Sequence, residues 1–178
     1  MRRVADNEIV RKPFRGAATT ITAIRDAALS SQQNFAVRQL AELICEGIRS
    51  KDYLSEYLAI HNFVWGLTRY MRDPRTIELV KDPGVVCEEL LEGGRPQLDC
   101  DDLTALELAL LLSIGAQARI VTLAFQNLFY KGERQYTHVL IEAREPRSGA
   151  WIVCDPVAGV ATRNMLKRAV AAKIWMVA

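Results

Sequence analysis

An α+β fold, with helices first and an antiparallel sheet after them, is what this chain predicts, and three observations carry that prediction. Apolar residues recur at helical spacing before position 92, the run that follows Cys100 is apolar almost all the way round, and from about Ala118 the pattern becomes strand-like. No repeat, low-complexity tract or linker interrupts the chain, so residues 1–178 are expected to form one domain around one core.

From Gln33 to Ser50, Val37, Leu40, Ala41, Ile44 and Ile48 keep the three-and-four spacing of an amphipathic helix. Asp52 can cap the next helix, expected to run to about Met71 with Leu54, Leu58, His61, Val64, Trp65 and Thr68 along one stripe and Asp73-Pro74 closing it. A weaker helix covers about Thr19 to Leu29. A short one, Val86 to Leu91, lies between the loop signals Lys81-Asp82-Pro83-Gly84 and Gly93-Gly94-Arg95-Pro96. After Cys100, residues Leu103, Leu106, Leu108, Leu110, Leu111, Leu112 and Ile114 surround their helix. That is tolerable only under burial on most sides, so this is the expected central helix, with Gly115 as its C-terminal cap. Strands follow at Ala118 to Phe125, Tyr136 to Ala143, Trp151 to Asp155 and Lys173 to Val177, with Arg147-Ser148-Gly149 as a hairpin turn.

Composition excludes several classes. Half of the 178 residues are hydrophobic and the formal net charge is +2, the profile of a globular chain that buries roughly 70% of its unfolded surface. The longest apolar stretch, around Leu108 to Leu112, falls far short of the ~20 residues a membrane span needs. Met1-Arg2-Arg3 leads into Asp6 and Glu8 rather than an apolar signal core, so a cytoplasmic protein is expected, without a membrane partner. Near-neutral charge argues against nucleic acid as a partner. The basic run Arg2, Arg3, Arg11, Lys12 and Arg15 reads as a solvated arm within residues 1–30, which otherwise hold an arm or helix. Cys45, Cys87, Cys100 and Cys154 show neither zinc spacing nor the density of a disulfide scaffold, so reduced thiols are expected.

Chemistry concentrates on three positions. Cys100 opens a helix, His138 lies on a strand and Asp155-Pro156 ends another, an order that suits a thiol nucleophile, a base to take its proton and a carboxylate to orient the base. Backbone N–H groups at a helix start favour thiolate and could hold an oxyanion, whereas Asp99, Asp101 and Asp102 oppose thiolate with like charge. Side-chain alternation puts His138, Leu140 and Glu142 on one strand face and Trp151, Val153 and Asp155 on one face of the next. His138 and Asp155 can therefore be neighbours, although counting leaves the register open. His61, Cys45, Cys87 and Cys154 read as core residues. Asp102 reads as structural, satisfying N–H groups of the first turn or pairing with Arg119. A zinc site from Cys100, His138, Cys154 and His61 has no supporting spacing.

Together these residues resemble the transglutaminase-like, papain-related superfamily of cysteine peptidases in its small bacterial and phage form. The resemblance spans about Leu58 to Gly159, the core motif region of residues 58–159. It rests on a helix ending in an aromatic and an Asp (Tyr70, Asp73), a proline-containing approach, the Cys100-Asp101-Asp102 helix start, the turn from Ser113 into Ala118-Arg119, His138 on a strand and Asp155-Pro156. It implies Cys100 as nucleophile, His138 as general base and acid, and Asp155 as the orienting carboxylate, with a peptide or protein as substrate. Relatives cleave peptide or glutamine amide bonds through a thioester or transfer the acyl group to amines, and no metal or organic cofactor is implied. Leu98-Asp99 and Asp101 stand where many relatives have a Gly before and an aromatic after the Cys, and Leu140 stands where an aromatic is common, which favours hydrolysis over amine transfer. Some relatives have lost activity, so the alternative is a non-catalytic peptide-binding or assembly module, phage- or virion-related, located in a host cytoplasm or virion. The long segment 126–135 is expected to rim the site, with Phe129 and Tyr130 touching substrate, and Gln97 and Trp65 are further candidates for polarising a substrate carbonyl.

Overall fold

A computed structural model describes residues 17–67, 80–158 and 162–177 of the chain. Helix α1 (Ala17–Ser31) turns Ile21, Ile24, Ala27 and Ala28 into the core. Helix α2 (Phe35–Ile44) starts at Asn34, whose side chain accepts from the Ala36 N–H, and buries Ala36, Val37, Leu40 and Ala41. It stops short of Ser50, and Gly47, with φ +80°, turns the chain in a conformation that L side chains avoid.

Asp52 caps α3 (Tyr53–Trp65) as expected, but the buried stripe differs from the expected one. Tyr57, Ile60, His61 and Val64 face inward, whereas Leu54, Leu58 and Trp65 are 43%, 40% and 42% exposed. Both sets satisfy helical spacing because the helix is apolar on much of its circumference, and only packing selects between them. Gly66 ends the described helix, and Thr68, Tyr70, Met71, Asp73 and Pro74 lie outside the described residues. Helix α4 (Pro83–Leu91) begins with Pro at a position where the missing N–H is not needed, capped by the Asp82 side chain on the Gly84 N–H.

Helix α5 (Cys100–Ser113) is the centre: every residue from Asp101 to Leu111 is buried. Helices α1 to α4 pack around it, and its remaining side meets the sheet. Gly115, just past its end, has φ +83°, the left-handed cap the sequence predicted.

The sheet comprises β1 (Gln117–Ala124), β4 (His138–Arg144), β5 (Trp151–Cys154) and β6 (Ala171–Met176), antiparallel in the order β5-β4-β1-β6. Ala118, Ile120, Val139, Ile141, Ala143 and Cys154 belong to the main core, while Val121, Leu123 and Leu140 form a second cluster with Phe125, Val153 and Ala169. A small hairpin, β2 (Phe129–Tyr130) with β3 (Glu133–Arg134), occupies what the sequence offered only as a long loop. It turns through Lys131 (φ 50°) and Gly132 (φ 81°); the pair Lys-Gly is a weaker hairpin signal than Asn-Gly, and two-residue strands leave almost no periodicity. Helix α6 (Thr162–Arg168) was likewise not anticipated. No described helix is long and apolar enough to cross a membrane.

Tyr57 ties α3 to the sheet, its hydroxyl donating to the Arg144 carbonyl at 3.3 Å. Burial, aided by Glu56 and Glu145, pushes the phenol up to about 12. Because the folded value exceeds the unfolded one, the protonated form is favoured by folding; this stabilisation is complete below pH ~10 and is lost as pH rises toward 12. Urea midpoints should fall further between pH 9 and pH 11.5 in the wild type than in Tyr57→Phe, the difference being the share of the loss that belongs to Tyr57. Equal falls in the two proteins would exclude Tyr57 as the source.

Candidate active site

Asp99 makes the helix start that carries Cys100. Its side chain accepts from the Asp101 and Asp102 N–H groups at 3.0 and 3.1 Å, while Asp102 accepts from the Asp99 N–H at 3.3 Å, a reciprocal capping box. Those two first-turn donors are therefore committed to the Asp99 carboxylate and are not available to an oxyanion, which narrows the expectation drawn from the helix start alone.

The three acidic neighbours of Cys100 have separate positions. Asp99 lies on the helix N–H groups. Asp102, 3% exposed, accepts from the Lys81 N–H at 2.7 Å and pairs with Lys81 Nζ at 3.4 Å, which also donates to the Gln97 carbonyl. Burial raises the Asp102 carboxyl in spite of Lys81. Asp101 meets the sulfur: the thiol donates to Asp101 Oδ1 at 3.5 Å. Asp102 is thus structural, but its cation is Lys81; Arg119 instead binds Glu142 at 2.6 Å and stacks over Trp151 at 3.9 Å.

Register brings His138 to Asp155. Ile141 pairs with Cys154 and Glu142 with Val153, so one step further places Asp155 opposite Leu140, two residues along the strand from His138 and on its face. His138 Nε2 and Asp155 Oδ2 are 2.7 Å apart, with both side chains almost wholly enclosed. The Val157 and Ala158 N–H groups donate to the other oxygen, Oδ1, at 3.1 and 2.9 Å. Burial would raise the Asp155 carboxyl, but the bond and charge of His138 and these two N–H donors hold it below the ordinary carboxylate value. The Phe125 ring covers the imidazole at 6.3 Å between centroids.

Cys100 and His138 line one cavity of about 330 Å³. Thr20 and Ile21 of α1 wall one side, Thr122 and Val139 come from the sheet, and Gln135, Tyr136 and Thr137 form the segment leading into His138. The cavity lining contains none of Phe129, Tyr130, Gln97 or Trp65. Phe129 and Tyr130 are 59% and 65% exposed on the β2–β3 hairpin, under Arg134 and Lys131 respectively. Gln135 is the last residue of the segment expected to rim the site, whereas the rim drawn from α1 and from Tyr136 and Thr137 was not read from the sequence, since neither carries a motif; proximity to His138 was the available signal for the latter.

His61 is a core residue as expected, with Nδ1 3.0 Å from Glu107 Oε1. Cys154 joins that pair, not Cys100. The four-residue zinc set that the spacing did not support is divided, with His61 and Cys154 in one cluster and Cys100 and His138 on the cavity. Among the described residues no disulfide joins the cysteines, and Cys87 and Cys154 are buried.

No protein-family profile matches the chain, and no curated protein matches it. Among solved structures, a candidate cysteine protease from Cytophaga hutchinsonii is similar at TM-score 0.50 and 20% identity over 82% of this chain. A candidate protease from Parabacteroides distasonis is similar at TM-score 0.52 and 8% identity over 85% of it. The chain spans 48% and 31% of those two proteins. The fold is therefore cysteine-protease-like: helices around a buried central helix, packed on an antiparallel four-stranded sheet.

Proposed function

We propose that this chain is a transglutaminase-like cysteine hydrolase that attacks peptide or glutamine amide bonds through a thioester on Cys100. The observation that carries the reading is the 2.7 Å bond between His138 Nε2 and Asp155 Oδ2, joined to a cavity onto which both Cys100 and His138 open. With Nε2–H donating to the carboxylate, Nδ1 is the ring atom left to accept a proton, the tautomer a general base requires. Cys100 gives its proton to His138 and its sulfur bonds the amide carbon; His138 returns the proton to the leaving amine; water, deprotonated by the same imidazole, releases the acid and restores the thiol. Transfer to an amine in place of water is the variant reaction of the same thioester.

One contact favours a second reading, a non-catalytic peptide-binding or assembly module of phage or virion type. The thiol donates to Asp101, an arrangement that retains the proton on sulfur. Alkylation decides between them. Iodoacetamide at mildly acidic pH should modify wild-type Cys100 far faster than an ordinary thiol, and Cys100→Ala should remove that modification completely, with a peptide bearing an electrophilic trap captured at position 100 alone. A Cys100 that reacts no faster than a free thiol refutes the hydrolase and leaves the binding module.

A further inference from the structure

Two helical turns along α5 from Cys100, three side chains from three elements converge outside the proposed chemistry. His61 of α3, Glu107 of α5 and Cys154 of β5 are buried, and His61 Nδ1 or Nε2, a Glu107 oxygen and Cys154 Sγ all lie within 4.8 Å of one another. Glu107 is fully enclosed, and its Oε2 has no hydrogen-bond partner. A carboxylate oxygen buried in that condition is costly unless something supplies positive charge to it.

We propose that His61, Glu107 and Cys154 form a site for a borderline-soft divalent cation, zinc foremost. The donor set is one nitrogen, one carboxylate and one sulfur, the ligands zinc takes at about 2.0–2.3 Å, while calcium and magnesium demand shells of oxygen. Donors around a tetrahedral zinc sit roughly 3.2–3.8 Å apart, a spacing these three reach with small side-chain rotations. The orphan Oε2 lies on the same carboxylate as Oε1 and adds a second, chelating oxygen at a bite narrower than a tetrahedral edge, so the three side chains hold the ion with Glu107 bidentate. Charge agrees as well: a thiolate and a carboxylate cancel the dication and leave a neutral centre, which a core accepts far better than a lone anion.

Loading displaces two protons. One comes from the Cys154 thiol, which burial and Glu107 otherwise keep protonated, and one is the proton that His61 and Glu107 share across their 3.0 Å contact. The bound ion would join α3, α5 and the edge strand β5 through one atom, directly beside Asp155, and so fix the end of the strand that orients His138. The other donor cluster, Asp99, Cys100 and Asp101, is a poor competitor because Asp99 Oδ1 already serves two backbone N–H groups.

Because the site is enclosed, the full-length chain is refolded with cobalt(II) and freed of excess ion. The expected result is one cobalt per chain with a near-ultraviolet thiolate-to-cobalt absorption band, retained in Cys100→Ala, lost in Cys154→Ala and displaced by zinc. Absence of the band in folded wild type overturns the site, as does a band that survives Cys154→Ala or vanishes with Cys100→Ala. Should Cys154→Ala not fold, urea unfolding of the wild type provides the second measurement: zinc must raise the midpoint above that in a chelator, and equal midpoints overturn the proposal.

Discussion

His138→Ala should slow iodoacetamide alkylation of Cys100 at pH 6 by about 10²-fold, the difference between a thiol of ordinary pKa near 8.5 and one stabilised as thiolate by an adjacent imidazolium. Background is low at this pH, because burial raises the thiols of Cys45, Cys87 and Cys154 above their ordinary value. Asp155→Asn provides a finer probe. The Asn carbonyl can still accept from the Val157 and Ala158 N–H groups that now bond Oδ1, so the turn is kept. Its amide, however, donates where the carboxylate accepted, forcing the His138 proton onto Nδ1, the wrong nitrogen for a base. A loss of reactivity approaching that of His138→Ala is expected, with unfolding midpoints near wild type. Alkylation rates unchanged in both variants would show that His138 does not act on the sulfur.

Leu108→Ala should cost about 3–5 kcal/mol, a large share of the 5–15 kcal/mol by which a domain of this size is stable. Leu108 is wholly buried on the central helix, where helices and sheet both press on α5 and leave little freedom to collapse around a lost side chain. Leu58→Ala, on the face of α3 that is 40% exposed, should cost less than about 1 kcal/mol. Chemical unfolding of the two variants measures the contrast directly. Similar losses would mean that α3 is turned so that Leu58, as the periodicity suggested, faces the core.

That comparison shows where the sequence is informative and where it stops. The all-round apolar run after Cys100 could be only a central helix, since no exposed helix carries seven large aliphatic residues on every side, and Gly115 marked its end. Strand alternation correctly sorted Val139, Ile141 and Ala143 from His138, Leu140 and Glu142, because side-chain direction in a strand is a local property of the backbone. The α3 stripe was not decidable locally: two overlapping apolar faces are equally periodic, and the choice belongs to what packs against them. Short elements such as the β2–β3 hairpin and α6 leave too few residues for any period to register.

The amino-acid sequence by itself determined an α+β chain with a thiol at the mouth of its buried helix and an imidazole and a carboxylate on successive strands, since helix starts, caps and alternation are written in neighbouring residues. Tertiary structure alone decided the β4–β5 register that sets His138 against Asp155, the commitment of Asp99 to the helix N–H groups, the Lys81 partner of Asp102, and the meeting of His61 with Glu107 and Cys154. Each of these joins residues from different elements or chooses among several nearby partners, and that choice is made by the packing of the whole core, which no local pattern encodes.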